Sequence, residues 1–155
     1  ILRRANKVLK LNLEDVWSGK DNGLFLKNSY ELLILASIIE KEAVVAHEKP
    51  TISGVLVNRL NKNMRLQTDP TVIYGLGDEF SGGLTKEHLA KDTPYNTYRR
   101  NGLPPTPISC PGWDSLFAAA HPEEHSLFYF VAKGDGTHYF SKTLKEHQEA
   151  VKTYR

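Results

Sequence analysis

The chain has 155 residues, 20 basic against 18 acidic, for a formal net charge of +2. That length suits one domain that can bury a core without disulfides, and 40% hydrophobic with 25% charged residues exclude a disordered chain. No apolar run approaches the roughly 20 residues that span a bilayer, the single Cys110 excludes an internal disulfide, and the isolated pairs Arg3-Arg4 and Arg99-Arg100 give no basic face for a nucleic acid. Along the chain, Leu2, Ala5, Leu9, Leu13 and Trp17 recur at helical spacing and predict an amphipathic helix over 1–17. It ends in the turn cluster Ser18-Gly19-Lys20-Asp21-Asn22-Gly23. The chain opens into this helix without a preceding cap, as a piece of a longer protein would.

Ser29 is placed to cap a second helix running from Tyr30 to about Ala46. Pro50 restarts the chain, and Ile52, Val55, Leu56 and Leu60 predict a third helix. Thr68-Asp69-Pro70 reads as a helix opening, with Asp69 as the cap and a short helix ending at Gly75 or Gly77. The glycine- and proline-rich stretch 75–112 predicts a long irregular segment of the kind that forms a binding surface. A short helix over 114–120 follows. Then Leu127–Ala132 and Thr137–Ser141 flank Lys133-Gly134-Asp135-Gly136, a β-hairpin signal. Thr143 with Glu146 three residues on is a capping box opening a last helix. The expected fold class is α+β, a helix-dominated single domain with a small antiparallel hairpin near the C-terminus.

The second helix carries the most informative residue. At about 100° per residue, Glu42 shares a face with Glu31, Leu35, Ile38, Ile39, Val45 and Ala46, whereas Glu40 points to the opposite side as a surface charge. A carboxylate on an apolar face costs several kcal/mol unless it is paired or protonated, and partial burial raises its pKa toward what a general acid needs. The alternative is a helix-end residue that turns to solvent or pairs with a lysine. Downstream, the amide of Gln67 and the hydroxyl of Thr68 match the needs of sugar hydroxyls and acetamides. Tyr95-Asn96-Thr97-Tyr98 combines rings that stack on sugar faces with directional hydrogen-bonding groups, or else is a loop anchored by two tyrosines. His138 on the hairpin reads as a surface strand residue rather than a catalyst. His121 and His125 cannot share a helix face across Pro122, so no metal site is expected. Cys110 has no neighbouring histidine to make it a nucleophile.

Leu35-Ala36-Ser37-Ile38-Ile39-Glu40-Lys41-Glu42, Gly54-Val55-Leu56-Val57-Asn58-Arg59-Leu60 and Met64-Arg65-Leu66-Gln67-Thr68-Asp69-Pro70-Thr71-Val72-Ile73-Tyr74-Gly75 stand in this order. Tyr95-Asn96-Thr97-Tyr98, Gly102-Leu103-Pro104-Pro105, Ala118-Ala119-Ala120-His121-Pro122, Tyr129-Phe130-Val131-Ala132, Gly134 and His138 follow. Together they resemble the endolytic murein transglycosylase (MltG, YceG-like) family over residues 29–151. The resemblance implies a lysozyme-like catalytic helix arrangement in a catalytic domain over 29–155, preceded by a helix and linker over 1–28. It implies a lyase that cuts the β-1,4 bond between N-acetylmuramic acid and N-acetylglucosamine in peptidoglycan glycan strands, leaving 1,6-anhydro ends. The family's catalytic glutamate falls on Glu42. The small hydroxylated residue that follows it in other lytic transglycosylases is Ala43 here, a departure that bears on how Glu42 is oriented.

Gln67, Thr68, Asp69, Tyr95, Asn96 and Tyr98 are the expected glycan-binding residues. No cofactor is implied. An upstream membrane helix and LysM-like domain are implied, which would anchor the protein in the bacterial cytoplasmic membrane facing the cell wall, with peptidoglycan synthases as partners. The rival readings are a lysozyme-like hydrolase, which needs a second carboxylate with Asp69 or Glu48 as candidates, and a non-catalytic peptidoglycan-binding module.

Overall fold

Helix α2 (Ser29–Glu42) organises the molecule. Six consecutive residues, Ile34 to Ile39, are buried, and at about 100° each they sweep more than one full turn, so the helix is enclosed on every side. The sequence pattern predicts a stripe; the structure gives a central helix. Its start is capped one residue earlier than expected, by Asn28 Oδ1 accepting from the Glu31 N–H at 3.0 Å, while Glu31 accepts from the Lys27 N–H at 2.7 Å. It also stops earlier, at Glu42, because Ala43 takes an extended conformation. Val45 and Ala46 therefore do not continue its face.

The computed structural model describes residues 1–155. Around α2 lie α1 (Leu2–Ser18), α3 (Lys49–Asn61), α4 (Asp69–Leu76) and α6 (Trp113–Ala120), and α5 (Lys86–Ala90) packs on α4. Helix α1 lays Leu9, Leu13, Val16 and Trp17 on the core. Helix α6 makes the most extensive contact with α2, through buried Ser115, Leu116, Ala118, Ala119 and Ala120; small side chains let the two backbones come close. The main core comprises Leu32, Leu35, Ile38, Ile39, Ile52, Leu56 and Leu116, each fully buried. No helix is long and apolar enough to cross a membrane.

Strands β1 (Tyr129–Ala132) and β2 (His138–Ser141) pair antiparallel, with Tyr129 opposite Ser141 and Ala132 opposite His138. Gly134 and Gly136, at φ of 92° and 90°, make the connection that other residues strain to adopt. Helix α7 (Leu144–Tyr154) opens with the expected reciprocal cap between Thr143 and Glu146 and packs on both strands. The expected elements thus form, with corrected bounds and one addition. Asp69 is the first residue of α4, and the capping position falls on Thr68. Within the glycine- and proline-rich stretch, Thr85 and His88 cap each other to start α5; histidine in place of glutamate hides that signal from the usual pattern.

Two hydrogen bonds at Ser37 hold the end of the long 91–112 segment against α2. Ser37 Oγ accepts from the Ile108 N–H at 3.0 Å, and Ser109 Oγ donates to the Ser37 carbonyl at 2.9 Å. The connection 121–128 crosses α3 at Gly54, where a Cβ would stand 2.4 Å from the Glu123 carbonyl oxygen and 2.5 Å from His125 Nε2. Asn58 secures the same crossing by donating to the carbonyls of His125 and Leu127 at 2.9 and 3.0 Å. His125 is a bracket here, its Nδ1 accepting from the Leu127 N–H and its Nε2 bonding the Thr51 carbonyl, while His121 pairs with Asp21.

Candidate active site

The end of α2, α3, the start of α4 with the chain before it, the loop at Tyr98, the hairpin and α7 converge on a cleft of about 220 Å³. Glu42, the last residue of α2, lines it. Its side chain is half-buried by exposed surface because one side opens on the cleft, and protein encloses the other sides. Desolvation, reinforced by the nearby charge of Asp69 and partly offset by Arg155, pushes its pKa up to about 8. The negative end of the helix dipole acts in the same direction. Glu42 is thus a neutral carboxylic acid at neutral pH, facing a solvent-reached cleft.

Glu40 behaves differently from the free surface charge expected of it. It is half-buried, ion-paired with Lys49 at 3.1 Å and hydrogen-bonded by Ser115, and those partners hold it below the usual carboxylate range against the opposing pull of desolvation. The two glutamates are set two residues apart and tuned in opposite directions.

Asp69 reaches the cleft from the first turn of α4, and its Oδ1 accepts from the Tyr98 hydroxyl at 2.5 Å. Burial and then this bond push the Tyr98 phenol well above its ordinary range, so it stays a donor. Gln67 joins them with a left-handed backbone, φ 54°, which costs about 1–2 kcal/mol for a residue other than glycine. The chain holds that strain through the Gln67 N–H, which donates to the Thr97 carbonyl at 3.2 Å, and through Arg59 Nη1, which donates to Gln67 Oε1 at 3.3 Å.

Of the seven residues expected at the site, Glu42, Gln67, Asp69 and Tyr98 line one cleft. The other three do not. Thr68 is buried in a hydroxyl cluster with Thr71 and Thr97. Asn96 is buried with its amide donated to the carbonyls of Leu89 and Lys91, at 3.0 and 2.7 Å, and its Oδ1 accepting from the Tyr98 N–H. Tyr95 bonds Thr106 at 2.7 Å and packs on Tyr74. These three shape the loop that presents Tyr98 and Gln67.

Sequence reasoning did not place the polar residues Arg59, His138, His147 and Arg155 at the cleft. Arg59 is buried at the base, its Nε donating to the Phe128 carbonyl at 2.6 Å and its Nη1 to the Arg65 carbonyl at 2.8 Å, with the Tyr129 ring below the guanidinium. Its place seven residues after Ile52, on the buried side of α3, carries the same signal that singles out Glu42. His147 stacks on Tyr129, and burial, with the neighbouring arginines, holds its pKa below the ordinary value. His138 is not the surface strand residue expected. Its side chain is 7% exposed and its Nδ1 lies 2.7 Å from Glu48 Oε2. Alternation along β2 puts it on the face of half-buried Phe140 while Tyr139 is exposed, and that period is the signal that could have found it.

The model of the YceG-like family matches residues 1–153. The chain belongs to the YceG-like family. It is 46% identical over 125 residues to an endolytic murein transglycosylase of Bacillus subtilis, a match covering 81% of this chain and 34% of that protein. It is 33% identical over 126 residues to an endolytic murein transglycosylase of Streptococcus pneumoniae, covering 78% of this chain and 23% of that protein. The crystal structure of a yceG-like protein from Listeria monocytogenes superposes with a TM-score of 0.75 at 49% identity, covering 80% of this chain and 40% of that one. The chain therefore spans about a third of the Bacillus relative and a quarter of the pneumococcal one.

Proposed function

We propose that this chain is the catalytic region of an endolytic murein transglycosylase, and that Glu42 cleaves the bond between N-acetylmuramic acid and N-acetylglucosamine in peptidoglycan strands. The observation that carries the reading is a single neutral carboxylic acid, its pKa raised to about 8, opening on a cleft with hydrogen-bonding groups. The names of relatives sharing 46% and 33% of their aligned residues agree with it.

In this mechanism Glu42 gives its proton to the glycosidic oxygen as the C1–O bond breaks through an oxocarbenium-like state. The C6 hydroxyl of the same muramic acid then attacks C1, and its proton passes to the Glu42 carboxylate. The product carries a 1,6-anhydro ring, no water is consumed, and the acid is regenerated. An internal nucleophile needs no carboxylate to activate water. Burial, reinforced by the charge of Asp69, keeps Glu42 protonated, and that negative charge stabilises the positive charge that develops on the sugar. Gln67, Tyr98 and the carboxylate of Asp69 offer the sugar an amide, a phenol and an acceptor. Thr68, Tyr95 and Asn96 then act by shaping the loop behind them.

One observation favours a second reading. Asp69 is a second carboxylate on the same cleft, so it could activate water and make the enzyme a hydrolase with reducing-end products. The other candidate, Glu48, is committed to His138 through both oxygens. The full protein would work at the cell wall, held at the cytoplasmic membrane by an upstream segment and beside peptidoglycan synthases. The test is turnover of purified glycan strands. Glu42→Gln should reduce it by about 100-fold or more, as loss of a general acid does, while thermal melting shows the variant folded. Unchanged turnover would overturn the assignment.

A further inference from the structure

Glu48 is the last residue of the short 3-10 turn that follows the catalytic helix, and it is as buried as the core around it, at 8% exposure of its side chain. Both of its oxygens go to one residue of the hairpin. Oε1 accepts from the His138 backbone N–H at 2.9 Å, and Oε2 faces His138 Nδ1 at 2.7 Å. A buried carboxylate accepts, so Nδ1 is the ring nitrogen that donates, and in the neutral imidazole Nε2 carries the lone pair. That Nε2 has no partner within the chain and is not sealed from solvent. His138 lines the cleft that Glu42 lines. Phe130 stands edge-on to the imidazole and Phe140 lies against it, so the ring cannot turn freely.

We propose that His138 is a further substrate-binding residue of this site: its Nε2 accepts a hydrogen bond from a hydroxyl of the sugar held against Glu42, and Glu48 is the positioning residue that fixes the accepting tautomer. The inference rests on the glycan-cleaving reading above. A staple alone would need only the backbone bond to Glu48. The second bond, to Nδ1, leaves a lone pair on the ring where a sugar hydroxyl needs an acceptor. Carboxylate–imidazole pairs in hydrolytic triads use the same division of labour, one group setting the tautomer of the other.

Glu48→Gln separates the two roles. The amide oxygen still accepts the backbone N–H, while the amide N–H₂ donates to Nδ1 and moves the ring proton to Nε2. The shape and the staple survive, and only the polarity of the cleft-facing atom inverts. Glycan-strand turnover should fall about 10- to 100-fold, the scale of a substrate hydroxyl left facing a donor instead of an acceptor, with the melting temperature within a few degrees of the parent. Nitrogen NMR of the histidine rings should give His138 a protonated Nδ1 and an unprotonated Nε2 in the parent, and the reverse in Glu48→Gln. In a Glu42→Gln background, which prevents turnover, a glycan tetrasaccharide should shift the His138 Nε2 resonance. Parental turnover in Glu48→Gln, or an Nε2 resonance unmoved at saturating glycan, would overturn the proposal. If the parent chain cleaves nothing, the catalytic reading fails while the NMR measurement still decides the role of His138.

Discussion

Glu42 is held where its charged form is disfavoured, and that has consequences for both stability and rate. Its folded pKa of about 8 lies above the ordinary 4.5, so between those values the folded chain holds a proton the unfolded chain has lost. Its contribution is fully present below pH 4.5 and is lost as the pH rises through 8. Glu42→Gln, which cannot ionise, should therefore gain stability over the parent between pH 4.5 and 8 and hold that gain above. The gain is a few kcal/mol at most, because the cleft lets water reach the carboxyl. Chemical denaturation at pH 5 and pH 9 checks this, and equal differences at both would contradict it. The rate should show the same group. Activity that needs the protonated acid falls above about pH 8. Asp69→Asn removes the negative neighbour that raises Glu42, so the alkaline limb of the kcat/KM profile should move to lower pH. A limb that stays in place would detach Asp69 from the tuning of Glu42.

At the scale of elements, the site depends on crossings that tolerate no extra atoms. A methyl group at Gly54 would meet the Glu123 backbone and the His125 ring, and forcing it in costs about 1–3 kcal/mol or more. Gly54→Ala should lower the melting temperature and loosen the 121–128 connection that leads into β1. A variant as stable as the parent would show that this crossing yields. The elements themselves were largely readable from period and punctuation: the Thr143–Glu146 pair set α7, and Gly134 with Gly136 set the hairpin. What the period of α2 could not show was enclosure on all sides. That depends on the alanines of α6 and on Ser37 catching Ile108 from 71 positions away, and no local pattern carries such pairings. The stop at Ala43 was equally invisible, since alanine favours helix and its extended backbone is set by tertiary context.

Across the whole molecule, the cleft gathers residues from six separated segments between Glu42 and Arg155. Gln67 was legible because its amide stands where the pattern left it no simple structural use, whereas Asp69 also read as a helix cap and Tyr98 as a loop anchor. Thr68 and Asn96 share that chemistry but spend it inside the protein, on Thr97 and on the carbonyls of Leu89 and Lys91. Side-chain type alone cannot separate the two uses. His138 and Glu48, 90 residues apart in sequence, become a pair only when the hairpin folds over the end of α2. The central claim is that one carboxylic acid on this cleft cleaves a glycan strand with the strand's own hydroxyl as nucleophile. Mass spectrometry of the ends formed on purified glycan strands tests it most directly. The account predicts 1,6-anhydro-muramic acid ends from the parent chain and none from Glu42→Gln. Reducing ends would contradict it and make water, activated by Asp69, the nucleophile.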